Sequence, residues 1–266
     1  MIDGRPSMTA RAVAAVRAKL ERPSAPSGDP ESELRLYQSL IAEIPPDAPR
    51  ERVRELATMI AIRTRFFDQA VLDALANHVN QIVILAAGYD GRALRFRTPG
   101  VRFFEVDFPA TQADKRARLA SVNARTDDIA FITADLTQPG LEAALAHAGH
   151  DARAPTQWLC EGLLRYLPED AVRSLFARTA SLSAPGSVFS ASIAARVPGW
   201  EDPNPARRAE RAEELERIGE PVLTVVPPEV AKAWLEAAGW QVERMADMAA
   251  EAPGMRPGTM IATAIR

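Results

Sequence analysis

The sequence predicts a doubly wound α/β fold with a seven-stranded sheet, N-terminal helices and a cap insertion. Three observations carry this expectation. First, residues 82–107 read IVILAAGYDGRALRFRTPGVRFFEVD, the pattern of a strand, a tight glycine turn, a helix, a second strand and an acid. Second, short apolar runs alternate with helix-length segments from residue 82 onward, which is the signature of a sheet covered by helices on both faces. Third, residues 1–77 show helical periodicity and no strand pattern. A chain of 266 residues with 47% apolar and 25% charged side chains accommodates one large α/β unit with additions.

The elements follow in order. A helix over 8–20 places Val13, Val16 and Leu20 on one face, and ERPSAPSGDPES (21–32) is a loop. A short helix over 33–43 aligns Leu34, Tyr37, Leu40 and Ile41, before IPPDAP (44–49) breaks the pattern. Residues 50–77 are helical with an interruption near Arg65–Asp68, and Val71, Leu72 and Leu75 give the last turns an apolar side. The division expected is a helical cap and cofactor clamp over 1–77 and a cofactor-binding unit over 78–266. Strands are expected near 82–87, 101–106, 129–133, 156–161, 186–194, 240–246 and 258–265. Helices fit near 91–95, 109–121, 138–148, 169–183 and 228–238. Residues 195–227 interrupt the rhythm, either as a cap over a pocket or as a solvated helical excursion.

Composition excludes several classes of function. The net charge is −3, and no Lys/Arg cluster has aromatics interleaved, so no nucleic-acid partner is expected. No run approaches the ~18 apolar residues of a membrane span, and the first residues make a poor signal peptide, so the expected location is cytoplasmic. The single Cys160 sits in an apolar run and reads as a core thiol. His78, His147 and His150 are spaced poorly for metal ligation, so no metal is expected; each reads as structural or surface, the last two beside a solvated connection. No serine stands in G-x-S-x-G.

The strand ends carry the chemistry. A nucleoside must approach the backbone after the first strand, where Gly88 offers no side chain to obstruct it. Asp107 follows 19 residues later, near the spacing of a ribose-binding carboxylate. Glu105 points the same way along the strand, so sequence alone does not separate the two acids. Asp135 and Glu161 also stand just after apolar segments. The turn AAGYDGR lacks the glycines of a dinucleotide fingerprint, and Asp90 would repel a pyrophosphate. S-adenosyl-L-methionine has no phosphate and carries a sulfonium, so it suits the turn better than a nicotinamide dinucleotide.

The chain resembles the leucine carboxyl methyltransferase-like family of S-adenosylmethionine-dependent O-methyltransferases, including its bacterial natural-product branch. The matching segments are IAIRTRFFDQAVLDAL (61–76), VILAAGYDGRALRF (83–96), VRFFEVDFPATQADKRARL (101–119), FITADLT (131–137) and WLCEGLLRYLPEDAV (158–172). The resemblance implies a methyltransferase-type sheet. It implies that Arg63, with Arg65 as the alternative, holds the cofactor's methionine carboxylate. It implies that Ala87 and Gly88 lie against the cofactor, that Asp107 accepts from ribose hydroxyls, and that Asp135 and Leu136 frame the adenine. Glu161 would line the sulfonium end or organise the backbone beside it. Two departures stand out: Ala86 where the family usually has glycine, and Gly91 where it often has a hydroxyl residue.

The acceptor expected is a small acidic or aromatic molecule. Tyr166 and Trp200 are its candidate pocket residues, and Arg196, Arg207 and Arg208 could attract an acid. A carboxylate acceptor needs alignment and no base, whereas a phenol benefits from one; the first is preferred. A protein carboxyl terminus and a silent cofactor-binding scaffold remain as alternatives.

Overall fold

The computed structural model describes residues 6–43, 50–202, 204–252 and 255–266, leaving aside the side chains of 50–56 and of Arg208. The breaks expected at 44–49 and at Pro253-Gly254 lie outside the described residues.

Three helices precede the sheet: α1 (Met8–Arg17), α2 (Pro30–Ile41) and α3 (Arg50–Ala76). Ser7 caps α1 through the Ala10 N–H. α2 begins three residues earlier than its apolar face suggests, because Asp29 accepts from the Ser32 N–H at 2.9 Å and Pro30 occupies the first turn. α3 is continuous, which corrects the interruption expected near Arg65–Asp68. Thr64, Phe67, Asp68 and Val71 share its buried side. Asp68 is tolerated there because two arginines pair with it.

The seven strands are β1 (Gln81–Leu85), β2 (Arg102–Asp107), β3 (Ile129–Thr133), β4 (Thr156–Cys160), β5 (Val188–Ala194), β6 (Gln241–Asp247) and β7 (Thr259–Ile265). Their order is β3-β2-β1-β4-β5-β7-β6. β1 to β5 pair in parallel. β7 runs antiparallel to both its neighbours, since no crossover helix separates it from β6. Crossovers are made by α4 (Arg92–Arg95), α5 (Pro109–Ser121), α6 (Leu141–His147), α7 (Glu169–Ser181) and α9 (Pro228–Ala237).

Alternation along the strands splits the core in two. Val83, Leu85, Phe104, Val106, Trp158 and Phe189 face α6, α7 and α9. Ile82, Ile84, Phe103 and Leu159 face the other way, onto Leu36, Tyr37, Phe67 and Val71 of the N-terminal helices. The N-terminal helices therefore share a core with β1 and β2. Cys160 is buried in the first layer, where burial pushes its thiol pKa up. His150 is also buried, which corrects the solvated setting expected for it. Its Nε2 lies 3.0 Å from Thr156 Oγ1, and Phe104 and Trp158 pack against its ring.

The 195–227 insertion leaves the sheet at the end of β5 and returns beside it through a parallel bridge between Ala195 and Val226. Between them lies α8 (Pro205–Arg217), capped by Asn204 and anchored by buried Leu215. Among the described residues, no helix is long and apolar enough to cross a membrane.

Candidate cofactor and acceptor site

Parallel pairing of β1, β2 and β4 brings the three strand ends to one edge, so Ala86–Gly88, Asp107 and Glu161 converge. The β1 turn is tight. Ala86 and Gly88 both have left-handed backbones, with φ of 50° and 51°. Glycine takes that conformation freely, whereas alanine is strained in it. The Ala87 N–H donates to the Val106 carbonyl at 3.0 Å, and the Asp90 N–H returns to the Ala87 carbonyl at 2.7 Å.

The structure separates the two acids of β2. Asp107 faces the turn: its carboxylate accepts from the Gly88 N–H and, at 2.6 Å, from the Phe108 N–H. Glu105 is buried against Lys115 of α5, whose ammonium also donates to the Asp90 carbonyl at 2.6 Å. Burial raises the Glu105 pKa to about 6, against the pull of Lys115.

Glu161 stands just past β4 among three guanidinium groups. Arg17 Nη2 lies 2.6 Å away, Arg92 Nη1 2.7 Å and Arg63 Nε 2.8 Å. Burial alone would raise its pKa, but the positive charges of Arg17, Arg92 and Arg63 hold it well below the usual carboxylate range. Asp90 is buried in the same network. Arg92 pairs with it, and Arg17 Nη1 approaches to 3.3 Å. The cluster continues through Asp68, which joins Arg92 to Arg22, and through Glu33, which joins Arg22 to Arg95. The Asp90 charge that argued against a pyrophosphate thus has its cations within the chain.

Arg63 and Glu161 meet, while Arg65 falls on the exposed side of α3 and does not join them. Gly162, with φ of 71°, lies beside the Arg63 guanidinium: a Cβ there would be 3.5 Å from Nη1. Its N–H donates to Ser192 Oγ at 2.8 Å. At the end of β3, Leu136 is buried, and half-buried Asp135 accepts from the Thr137 N–H and hydroxyl. Tyr166 lies half-buried in the 3-10 turn Leu164–Tyr166. Trp200 is half-buried in a separate turn closed on the Val197 carbonyl. Arg196 is exposed and Arg207 half-buried, while the Arg208 side chain lies outside the description.

Sequence reasoning missed Arg17, Arg92 and Lys115. The usable signal was Asp90 itself, since a buried acid requires a cation. Another was the position of Arg17, three residues after buried Ala14 on the inner side of α1.

S-adenosylmethionine fits the donor set. The Arg63 terminal nitrogens donate no hydrogen bond to the described residues and remain available to a carboxylate. Each Asp107 oxygen accepts one backbone N–H and retains acceptor capacity for a hydroxyl. The bare backbone of Gly88 lets α1 pack closely on the turn: an added Cβ would lie 3.0 Å from Ala10 Cβ. Among the described residues, no three His, Cys, Asp or Glu side chains cluster as metal ligands.

Comparison with known proteins supports the same class. A protein from Frankia alni is 39% identical over 202 residues, covering 74% of this chain and 66% of its own. One from Streptomyces coelicolor is 42% identical over 151 residues, covering 56% and 53%. Both carry the provisional name S-adenosyl-L-methionine-dependent methyltransferase. The matched segments span between about half and two thirds of the length of these relatives. A crystal structure from Thermobifida fusca, provisionally named a methyltransferase, shares the fold over 100% of this chain and 96% of its own. Its TM-score is 0.61 at 18% identity. The family model for leucine carboxyl methyltransferase matches residues 26–180. This stretch includes the β1 turn, the β2 acid and the Arg63–Glu161 pair, and the chain belongs to the leucine carboxyl methyltransferase family of S-adenosylmethionine-dependent methyltransferases.

Proposed function

We propose that the chain is an O-methyltransferase for a small metabolite or natural product, with a carboxylate oxygen as the favoured acceptor. The observation that carries this reading is the pairing of Glu161 and Asp90, the two acids that arginines enclose at the strand ends. Glu161 and Asp90 are each enclosed by guanidinium groups and lie below the ordinary carboxylate range despite their burial. Neither is suited to take a proton from a phenol near neutral pH. Buried His150 bonds Thr156 at the start of β4, at the far end of that strand from Glu161, and is not placed to serve as a base. An acceptor already ionised needs no base.

Arg63 is suited to hold the cofactor's methionine carboxylate, with its Nε fixed by Glu161 and its terminal nitrogens available. Asp107 is suited to hold the ribose, and Asp135 with Leu136 to border the base. When bound, the cofactor would supply an electrophilic methyl group to an acceptor oxygen and leave as S-adenosylhomocysteine. A carboxylate acceptor releases no proton in this exchange. The protein's part is alignment and exclusion of water. The return of the insertion beside β5 supports a small acceptor over a polypeptide tail, since it rejoins the sheet at Ala195, just past the end of that strand.

The test pairs aromatic carboxylic acids with matched phenols, following S-adenosylhomocysteine release and treating each product with alkali. A carboxylate acceptor yields a methyl ester that alkali cleaves. An alkali-stable aryl methyl ether as the main product would reverse the preference.

A further inference from the structure

We propose that Arg165 is a specificity-determining residue that binds an anionic group of the acceptor. This inference rests on the methyltransferase reading and names the substrate class for that site. Other arginines around Glu161 are paired: Arg17, Arg22, Arg63 and Arg92 each contact at least one carboxylate. Arg165 has no ion-pair partner among the described residues, and its Nε is buried without a hydrogen-bond partner. A buried guanidinium atom with nothing to donate to is costly, and native proteins seldom keep one without a use.

Its surroundings deepen the imbalance. The Arg165 guanidinium lies over the Tyr166 ring, with Cζ 5.7 Å from the centroid. Burial lowers the Arg165 pKa, and the nearby charges of Arg63 and Arg211 lower it further, partly offset by Tyr166. Arginine remains protonated under such a shift. The result is an unpaired guanidinium beside two arginines that have carboxylate partners, Arg63 on Glu161 and Arg211 on Glu214. An anion entering here would relieve the repulsion and satisfy Nε together.

The fold also places Arg165 between the strand ends and the insertion. The 3-10 turn carrying it begins three residues after Glu161. The Arg165 carbonyl accepts from the Leu223 N–H at 2.8 Å and the Thr224 N–H at 3.2 Å, fastening the returning insertion to the turn. Arg165 is one of the residues that border a small cavity with Ile193, Ala194 and Thr224. The proposed ligand class is a small carboxylate or a similarly sized oxyanion. A guanidinium fork pairs with such a group through two parallel hydrogen bonds.

The test measures binding, using benzoate and its neutral isostere benzamide as probes. The 266-residue chain saturated with S-adenosylhomocysteine is titrated calorimetrically as wild type, R165M and R165K. Methionine keeps the apolar stem, so packing is preserved while the charge is lost. Wild type is expected to favour benzoate over benzamide by at least about tenfold. R165M should abolish that preference, and R165K should restore part of it. Affinity for S-adenosylhomocysteine should stay within about twofold in each variant, which also reports that the site is folded. Persistent benzoate preference in R165M, or no preference in wild type, would overturn the inference. So would a loss of S-adenosylhomocysteine binding in a folded R165M, which would assign Arg165 to the cofactor. Wild type that cannot bind S-adenosylhomocysteine at all would instead bring down the methyltransferase reading, and this inference with it.

Discussion

The Arg17 guanidinium reaches from the end of α1 to within 2.6 Å of a Glu161 carboxylate oxygen at the end of β4. The same side chain approaches Asp90 at 3.3 Å in the β1 turn. One residue of the first helix thus ties together two strand ends of the candidate site. The N-terminus of α1 is held separately, by Ser7 and Thr9 donating to Glu220 beyond α8. α1 is a strap across the sheet edge, fixed at both ends.

Replacing Arg17 with methionine should loosen that strap. Glu161 retains Arg63 and Arg92, and Asp90 retains Arg92, so neither acid becomes an isolated buried charge. The expected cost is about 2 kcal/mol, below that of orphaning a buried charge outright. Urea unfolding gives the stability, and hydrogen exchange should show reduced protection over residues 8–17. Unchanged protection of α1 would mean that its packing against α2 and α3 holds it without the ion pairs.

Ala86→Gly tests the strain in the β1 turn. Alanine at a φ of 50° costs on the order of 1 kcal/mol, and glycine removes that cost while adding flexibility to the unfolded chain. The Ala86 methyl also packs on the core layer facing α7. The net expectation is a gain of about 0.5 kcal/mol by urea unfolding, with unchanged S-adenosylhomocysteine affinity. A loss of stability would show that methyl packing outweighs the strain.

The fold was most legible where strands are buried on both faces, as β1 and β2 are. Alternation at Ile82–Leu85 and Phe103–Val106 reports the two core layers directly, and the glycine turn and β2 acid follow from their ends. The Arg65–Asp68 stretch misled because opposite charges on either side of Phe66-Phe67 read as a break in the helical pattern. Its charges instead divide between an exposed side and a buried acid paired by Arg22 and Arg92. Choosing Asp107 over Glu105 required Lys115, which the α5 crossover brings beneath β2. Arg17 was less legible still, since it meets Asp90 across 73 residues of sequence, and no local periodicity encodes a pairing between distant elements. His150 illustrates the same limit: its neighbours are small and polar in sequence, but Phe104 and Trp158 enclose it in space.

Glu105 should leave a signature in the pH dependence of stability. Its folded pKa is raised from 4.5 to about 6, so the folded protein holds the proton more tightly than the unfolded chain. Its favourable contribution is complete below about pH 4.5 and is lost as pH rises through about 6. Across this window stability falls by about 2 kcal/mol from this group. Glu161 acts in the opposite sense at lower pH: its depressed pKa contributes stability that is lost as pH falls below the ordinary glutamate range. Glu105→Gln removes the first group and strips Lys115 of its ion pair, so the variant should be less stable overall. Its stability should nonetheless decline less steeply than wild type between about pH 4.5 and 6.5. Parallel urea-stability profiles across that range would place the titration elsewhere.

Arg63→Ala and Asp107→Ala should separate cofactor binding from folding. Arg63 is one of three cations on Glu161, so its removal leaves that acid paired with Arg17 and Arg92. The fold should hold, while loss of a guanidinium–carboxylate contact weakens S-adenosylhomocysteine binding by about 2–4 kcal/mol. Asp107 is different, because its carboxylate also accepts the Gly88 and Phe108 N–H groups. Alanine there deprives the turn of its anchor as well as the ribose of its acceptor, so affinity and stability should fall together. Asp107→Asn keeps one carbonyl acceptor at this position and should recover part of the stability. Arg65→Ala, on the exposed side of α3, serves as the matched control and should change neither quantity. Calorimetric titration with urea unfolding on all four variants decides the matter. An Arg63→Ala protein that binds S-adenosylhomocysteine like wild type, alongside an Arg65→Ala protein that does not, would place the carboxylate on the other face of the helix.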